Sequence, residues 1–257
     1  MNKLTKLEKY WVLYDVGNSA FVLLVSTIIP IYFKNLATSA GISLSDSTAY
    51  YSYAISIATL IVAFAGPALG SIGDRKNLRK PIFTFFMMMG VLSLAAMAIP
   101  VGWIAFLAIF IIAKTGLSTS LVFYDSMLVD VTTNDRVDMV SSHGYAWGYI
   151  GSCIPFTISL LLILGADTIG LTTIQAMSIA YLMNALWWLL VTIPLLKNYH
   201  QVNYTTKKEP IFGNLKRVFN DIRKNKKVLF FLIAFIQLLK WQPLMEKMLV
   251  SMIIAYY

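Results

Sequence analysis

Four polar residues interrupt long apolar stretches of this sequence, and each is of a type that binds ions or polar solutes: Asp15, Asn18, Lys114 and Asp125. Two carboxylates at one level could share a proton or bind a substrate amine, and a solitary ammonium group could receive a substrate carboxylate. These residues therefore predict a pathway for a substrate or an ion. No residue pattern predicts a catalytic group or a metal site.

The elements that carry these residues are predicted to be membrane-spanning helices. The chain has 257 residues, of which 58% are hydrophobic and 13% charged, and its mean hydropathy is +0.69. A helix needs about 20 apolar residues to cross the hydrocarbon. Apolar runs of about that length cover residues 11–33, 50–72, 82–99, 103–128, 144–164 and 174–196. The predicted fold class is an all-α polytopic membrane protein, with a six-helix N-terminal bundle and an irregular C-terminal helix.

Helical geometry relates the four polar residues to one another. Asp15 and Asn18 lie about one turn apart on one face of the first span. Asp125 lies at a similar depth in the fourth span, whereas Lys114 falls near the bilayer centre, roughly 16 Å from Asp125 on the same face. Two alternatives remain open: the acids are hydrated from the cytoplasm, or the Lys114 side chain is satisfied by backbone carbonyls or an unseen acid.

Basic residues are distributed unevenly among the predicted loops. The formal net charge is +9, yet Lys34 is the only basic residue in the loops predicted for the outer side. The positive-inside rule then places the N-terminus in the cytoplasm, with the plasma membrane as the location if the source is bacterial. The cation excess is therefore a topology signal, and nucleic acid is not an expected partner.

The loop at residues 70–81, between the second and third spans, is short, basic and rich in glycine. Asp74 lies at a helix C-terminus, where the dipole disfavours an anion, so Arg75, Arg79 or another cation is expected beside it. Gly66 and Gly70 form a pair that predicts close packing of the second span against a neighbour. A simple positive-inside loop would explain the cations but neither Asp74 nor the glycines.

This loop resembles the motif that the major facilitator superfamily carries between its second and third spans. Asn77 stands at a family glycine, and Asn is among the residues that tolerate a left-handed backbone. Leu78 stands where a basic residue is usual. The resemblance implies a conformational loop formed by Gly70, Gly73, Asp74, Arg75, Arg79 and Lys80.

Three further segments, residues 11–34, 122–130 and 142–151, are similar to the autophagy-related vacuolar effluxer family and its bacterial relatives. Asp125 and Val129 depart from that family's pattern, which has Asn and Pro there. The resemblance implies a major-facilitator fold and a secondary active transporter that exports small metabolites, amino acids among them, by alternating access. Protons are the coupling ion that it suggests.

Three parts are predicted along the chain: a six-span bundle at 1–196, a basic amphipathic linker on the cytoplasmic interface at 197–227, and a partial or frame-disrupted seventh span at 228–257. A solvated linker is the alternative for the second part. Polar residues and Pro243 break the last apolar run, which predicts a shift of reading frame near Ile236. The alternative function is therefore a truncated, non-transporting fragment, or a half-transporter that needs a partner chain with the C-terminal six-span half.

Several enzyme classes are not expected from this sequence. It has neither the G-x-x-x-x-G-K-[ST] phosphate loop nor the H-E-x-x-H zinc motif, and it has two histidines and one cysteine, Cys153. A membrane-embedded enzyme would need a polar cluster at one depth from three or more spans. The predicted partners are the lipid bilayer, a small-molecule substrate and protons, and no cofactor is predicted.

Overall fold

The computed structural model describes residues 3–206, 223–226 and 229–230. The chain divides into two compact units, Met1–Thr206 and Lys207–Tyr257. The described part of the first unit is built from helices joined by short turns, with a single turn of 3-10 helix at Asp167–Ile169. Its α-helices are α1 (Lys6–Ser26), α2 (Ile28–Ser39), α3 (Leu44–Gly73), α4 (Arg79–Ala96), α5 (Trp103–Val131), α6 (Val137–Leu164) and α7 (Thr173–Asn198).

Within the described residues, six helical segments are long and apolar enough to cross a membrane. The first consists of α1 and α2 together, and α3 to α7 supply one each. This confirms the prediction of an all-α, six-span protein. Several helices extend beyond the predicted apolar runs because polar caps start them earlier, as where Thr5 and Glu8 form a capping box ahead of α1.

The first span is interrupted at Thr27, between α1 and α2. Pro30 explains the interruption, because its ring has no N–H to donate and clashes with the carbonyl of the residue four positions earlier, Ser26. The Thr27 hydroxyl donates to the carbonyl of Leu23 at 2.5 Å and so satisfies a backbone group near the break. The two segments therefore form one span with a fixed irregularity.

Glycines set how closely the helices pack. A Cβ atom built on Gly116 of α5 would lie 2.5 Å from the backbone nitrogen of Gly90 in α4, so these two backbones touch. Gly144, Gly148 and Gly151 of α6 all face α1 in the same manner. These three glycines therefore allow α6 to pack directly on α1.

Gly66 and Gly70 have no described neighbour, so their close packing stays a prediction. Within the described part of the chain, no atom lies within 4 Å of a Cβ atom built on either residue. Gly73 is the close contact instead, because a side chain there would overlap the ring of Phe123 in α5. Two small residues four positions apart permit close approach of another helix, but they do not determine which helix packs there.

Of the second unit, the structure describes residues 223–226 and 229–230. The Leu229 N–H donates to the Asn225 carbonyl at 3.0 Å, a helical spacing. Residues 207–222 of the predicted linker lie outside the described residues. The predicted shift of reading frame near Ile236 lies outside them as well.

Candidate solute-binding cavity and charged loop

A cavity of about 460 Å³ lies between α1, α5 and α6. It contains three of the polar residues singled out from the sequence, Asp15, Asn18 and Asp125, whereas Lys114 does not line it. The other lining residues are Trp11, Ser19, Val22, Leu23, Leu121, Tyr124, Leu128, Ser141, Tyr145, Tyr149 and Ser152. The fold thus brings together the two acids of the predicted pathway.

The two acids reach the cavity from helices that run in opposite directions. Asp15 lies about 14 Å along α1 from its first residue, and Asp125 lies about 9 Å before the last residue of α5. The start of α1 and the end of α5 are held at the same end of the bundle by the contact of Glu8 with Thr132. Both carboxylates therefore lie in the half of the bundle nearer that end.

The carboxylate of Asp15 has room because α6 presents glycine to it. A Cβ atom built on Gly148 would lie 3.0 Å from Asp15 Oδ2. Asn18 Nδ2 donates to Asp15 Oδ1 at 3.2 Å and to the Tyr14 carbonyl at 2.9 Å, which fixes one carboxylate oxygen. Within the described chain, neither Asp15 nor Asp125 has a basic side chain within ion-pair distance.

Aromatic contacts hold α1 against α5 beside the cavity. Trp11 Nε1 donates to the Tyr124 carbonyl at 3.0 Å, and the two rings stack with centroids 4.2 Å apart. The Tyr14 hydroxyl is 2.6 Å from Ser120 Oγ, which adds a buried polar link one turn further on. Because these side chains are buried, they fix the position of Asp15 relative to α5.

The hydroxyl of Tyr124 is the unusual group in the cavity wall. Tyr124 is 2% exposed, and its hydroxyl has no hydrogen-bond partner among the described residues. Neither this residue nor Tyr145 and Tyr149, which also line the cavity, is among the residues predicted for the pathway. The signal for the last two was present in the sequence, since Ser141, Tyr145, Tyr149 and Ser152 recur at helical spacing on one face of α6.

Lys114 lies in α5, half-buried, between the buried residues Ala113 and Thr115. It forms no hydrogen bond or ion pair with any residue in the described ranges. It is three turns from Asp125 on the same helix face, roughly 16 Å away along the axis. A role for Lys114 in the substrate pathway stays a prediction, and the cavity at Asp15 is separate from it.

A second polar cluster, which we call the charged loop, joins the turn between α3 and α4 to the end of α5. Arg79 Nη1 donates to Asp130 Oδ2 at 2.6 Å, and Arg79 Nη2 donates to Asp74 Oδ1 at 3.0 Å. The expectation of a cation beside Asp74 is therefore confirmed, with Arg79 as that cation. Asn77 has φ 60°, the left-handed conformation expected at a family glycine.

Residues 199–205, which follow α7 and which we call the strap, converge on Asp130. The Tyr199 hydroxyl donates to Asp130 Oδ2 at 2.5 Å. Asp130 Oδ1 accepts from the Asn203 backbone N–H at 2.7 Å, from its Nδ2 at 2.9 Å, and from the Val202 N–H at 3.2 Å. Burial raises the pKa of the Tyr199 hydroxyl well above its ordinary value, and Asp130 raises it further, so this hydroxyl remains a donor.

The strap also binds the turn between α3 and α4 directly. The Thr205 N–H donates to the Asp74 carbonyl at 2.7 Å, and Gln201 Nε2 donates to the Gly73 carbonyl at 3.1 Å. Lys80 Nζ donates to the Tyr199 carbonyl at 3.2 Å. In the sequence, these residues fall at the start of the predicted linker. They have no apolar periodicity, so nothing in the sequence indicates that they pack against the bundle.

A third cluster fastens the first turn of α1 to the turn between α5 and α6. Glu8, which is 1% exposed, accepts from Arg136 Nη2 at 2.7 Å and Nε at 2.9 Å, and from Thr132 Oγ1 at 2.7 Å. The Glu8 carboxylate raises the pKa of the Arg136 guanidinium. No group of His, Cys, Asp and Glu in the described ranges is arranged to hold a metal ion.

Six helical segments long and apolar enough to cross a membrane, with a polar cavity between α1, α5 and α6, are the architecture of a multi-pass integral membrane protein. The family model described as "Vacuole effluxer Atg22 like" matches residues 45–137 and 129–240. The chain therefore belongs to this family of transporters of the major facilitator type.

A relative from Bacillus subtilis (strain 168), described as "Uncharacterized MFS-type transporter YxiO", is 41% identical over 245 residues. The alignment covers 91% of this chain and 57% of the relative. The chain thus spans little more than half the length of the curated relative that it matches. The resemblance drawn from the charged loop and the first, fourth and fifth spans is confirmed at the level of the family.

Proposed function

We propose that this chain forms the N-terminal bundle of a secondary active transporter that exports small metabolites, amino acids among them, by alternating access. The observation that carries the proposal is the cavity between α1, α5 and α6, where Asp15, Asn18 and Asp125 meet inside a membrane bundle. Ionisable groups are costly inside a membrane and mark solute or ion pathways there. The family match supports transport as the activity.

Alternating access needs a second bundle against which this one moves. Among the six spans described, α3 has the smallest share of its apolar stretch buried inside the bundle, and α6 has the next smallest. We assign these two faces to contact with a C-terminal six-span half, supplied by the same protein or by a partner chain. The length of the Bacillus subtilis relative supports this assignment, since it leaves room for such a half.

The proposed orientation places the N-terminus and the charged loop in the cytoplasm, in the plasma membrane if the source is bacterial. Arg75, Lys76, Arg79 and Lys80 at that end of the bundle support it through the positive-inside rule. A cysteine-accessibility experiment in a Cys153→Ser background tests it, since Cys153 is a free, exposed thiol. Asn77→Cys should react with an impermeant thiol reagent only in everted vesicles, and Gly102→Cys only in intact cells. The opposite labelling pattern would reverse the orientation.

A counterflow assay tests transport. Liposomes containing this chain together with a C-terminal six-span half are loaded with unlabelled amino acids, and the uptake of each labelled amino acid is followed. We expect uptake above that of protein-free liposomes, reduced by about tenfold in Asp15→Asn because a charge-assisted contact is lost. Asp167→Asn, which removes an exposed carboxylate far along the chain from the cavity residues, is the matched control. The absence of uptake for every amino acid would refute the proposal for this chain.

A further inference from the structure

We propose that the cavity binds solutes through a protonated amine, and that it selects cationic amines over zwitterions of similar size and over anions. The inference rests on the proposed function, because it assigns a substrate class to the same cavity. It follows from the charges on the cavity wall, from a buried hydroxyl without a partner, and from the distance to Lys114.

The described wall of the cavity carries two carboxyl groups and no Lys, Arg or His side chain. Asp15 uses one oxygen to accept from Asn18, which leaves Oδ2 without a donor from the described residues. No described side chain or backbone group donates to Asp125 either. An ammonium group has three donors and a positive charge, so it matches these vacant acceptors.

The hydroxyl of Tyr124 is independent evidence that a polar ligand group belongs in the cavity. A buried hydroxyl without a hydrogen bond destabilises the folded protein, so such a group is normally satisfied by protein, water or ligand. Tyr124 lines the cavity and is followed in sequence by Asp125. We therefore include the Tyr124 oxygen, beside Asp125, among the acceptors of the proposed ammonium site.

Two exposed aromatic rings complete the match to a cation. Tyr145 and Tyr149 of α6 line the cavity, and the described chain leaves them 67% and 70% exposed. A cation over the face of a tyrosine ring is attracted by the negative face of the ring. An anion would instead be repelled by the two carboxylates and by the electron-rich faces of these rings.

The position of Lys114 argues against recognition of an ordinary α-amino acid at this cavity. The ammonium and carboxylate of such a molecule are attached to one carbon atom. If its ammonium contacts Asp125, its carboxylate remains beside the acids and cannot reach Lys114, which is roughly 16 Å away along α5. Like charges held that close together repel one another, and the repulsion is stronger where water is partly excluded. A solute whose ammonium is remote from any carboxylate avoids this cost.

Equilibrium binding to the purified 257-residue chain in nanodiscs tests the proposal. The probe is labelled cadaverine, and the competitors are lysine, norleucine and glutarate. Lysine and norleucine have the same carbon skeleton and differ in the terminal ammonium. We expect lysine to displace the probe at concentrations at least about tenfold lower than norleucine, the ratio for a charge-assisted contact of about 1.4 kcal/mol. Glutarate should not displace it.

Variants locate the binding site. Asp125→Asn should weaken cadaverine binding about tenfold or more, whereas Asp125→Glu should retain most of it and Asp167→Asn should leave it unchanged. Tyr124→Phe keeps the ring stacked on Trp11 and removes only the hydroxyl, so it should weaken binding severalfold. Thermal denaturation of each variant separates loss of binding from loss of folding, and Tyr124→Phe keeps the test decisive should Asp125→Asn misfold.

Two results would overturn the inference: norleucine competing as well as lysine, or cadaverine binding equally to wild type, Asp125→Asn and Tyr124→Phe. Counterflow of neutral amino acids together with either result would leave the proposed transport function standing. Cadaverine binding with the expected selectivity, but without any counterflow, would contradict transport by this chain and leave the site assignment intact.

Discussion

Arg79 and Asp130 form an ion pair of 2.6 Å in which both side chains are almost completely buried, at 6% and 0% exposure. Arg79 is the first residue of α4, and Asp130 lies in the last turn of α5. The pair therefore ties together the ends of two spans that are adjacent in the bundle. Asp74 adds a second, half-exposed acid at 3.0 Å on the other side of Arg79.

Asp130→Asn should destabilise the bundle strongly. Breaking a buried ion pair by removing one partner costs about 3–5 kcal/mol, because the other charge stays buried without compensation. The free energy of unfolding in detergent, or the melting temperature of the purified protein, measures the effect. Asp74→Asn should cost much less, since Asp74 is 55% exposed and solvent can replace its contact. Equal melting of both variants and wild type would contradict this role for Asp130.

Tyr199→Phe should loosen the strap without removing its aromatic packing. The substitution deletes the hydrogen bond of 2.5 Å to Asp130, and a hydrogen bond to a charged group contributes about 1.5–3 kcal/mol. Proteolysis at the strap should be faster than in wild type. Tyr204→Phe is the control, because Tyr204 is exposed and its ring still faces Lys76 after the change. Equal cleavage rates for the two variants would count against an ordered strap.

Gly116→Ala should separate α4 from α5. The added carbon would meet backbone atoms of Gly90 at 2.5 and 2.8 Å, and backbone cannot move aside as a flexible side chain can. Overpacking of this kind costs about 1–3 kcal/mol. Gly66→Ala, with open space around its Cα among the described residues, should be neutral or stabilising by up to about 1 kcal/mol through helix propensity. Melting temperatures in the reverse order would contradict this packing.

Arg136→Ala should fray the start of α1. Glu8 would keep its bond from Thr132 but lose both bonds from the guanidinium, and its carboxylate is almost fully buried. Hydrogen exchange measured by mass spectrometry should then be faster in the peptide that contains Glu8. Lys9→Ala, a neighbouring exposed cation without a described ion pair, should leave that exchange rate unchanged. If both variants exchange alike, the Glu8 cluster does not hold this turn.

Features governed by local rules could be predicted from the sequence. The spans followed from the length of the apolar runs, and the need of Asp74 for a cation followed from its place at a helix C-terminus. The left-handed backbone at Asn77 followed from the residue type and the resemblance of the loop. In each case, the residues that decide the structure lie within a few positions of one another.

Features that depend on which helices become neighbours could not be predicted in this way. Five hydrogen bonds converge on Asp130 from residues 51 to 73 positions away in the chain, and no sequence pattern announces them. Gly66 and Gly70 carry the spacing for close packing but have no described neighbour within 4 Å. Asp15 and Asp125 were predicted at one level, but their common cavity depends on how the glycine face of α6 packs on α1.

The strap has a consequence for how the protein is made. Asp130 and Arg79 are synthesised well before Tyr199, Val202 and Asn203, although these three later residues supply four of the five hydrogen bonds to the Asp130 carboxylate. During translation, the Asp130 carboxylate therefore lacks four of its five hydrogen bonds until the strap has been synthesised. Since chains begin to fold from the N-terminus as they are made, docking of the strap is the last step that completes this bundle.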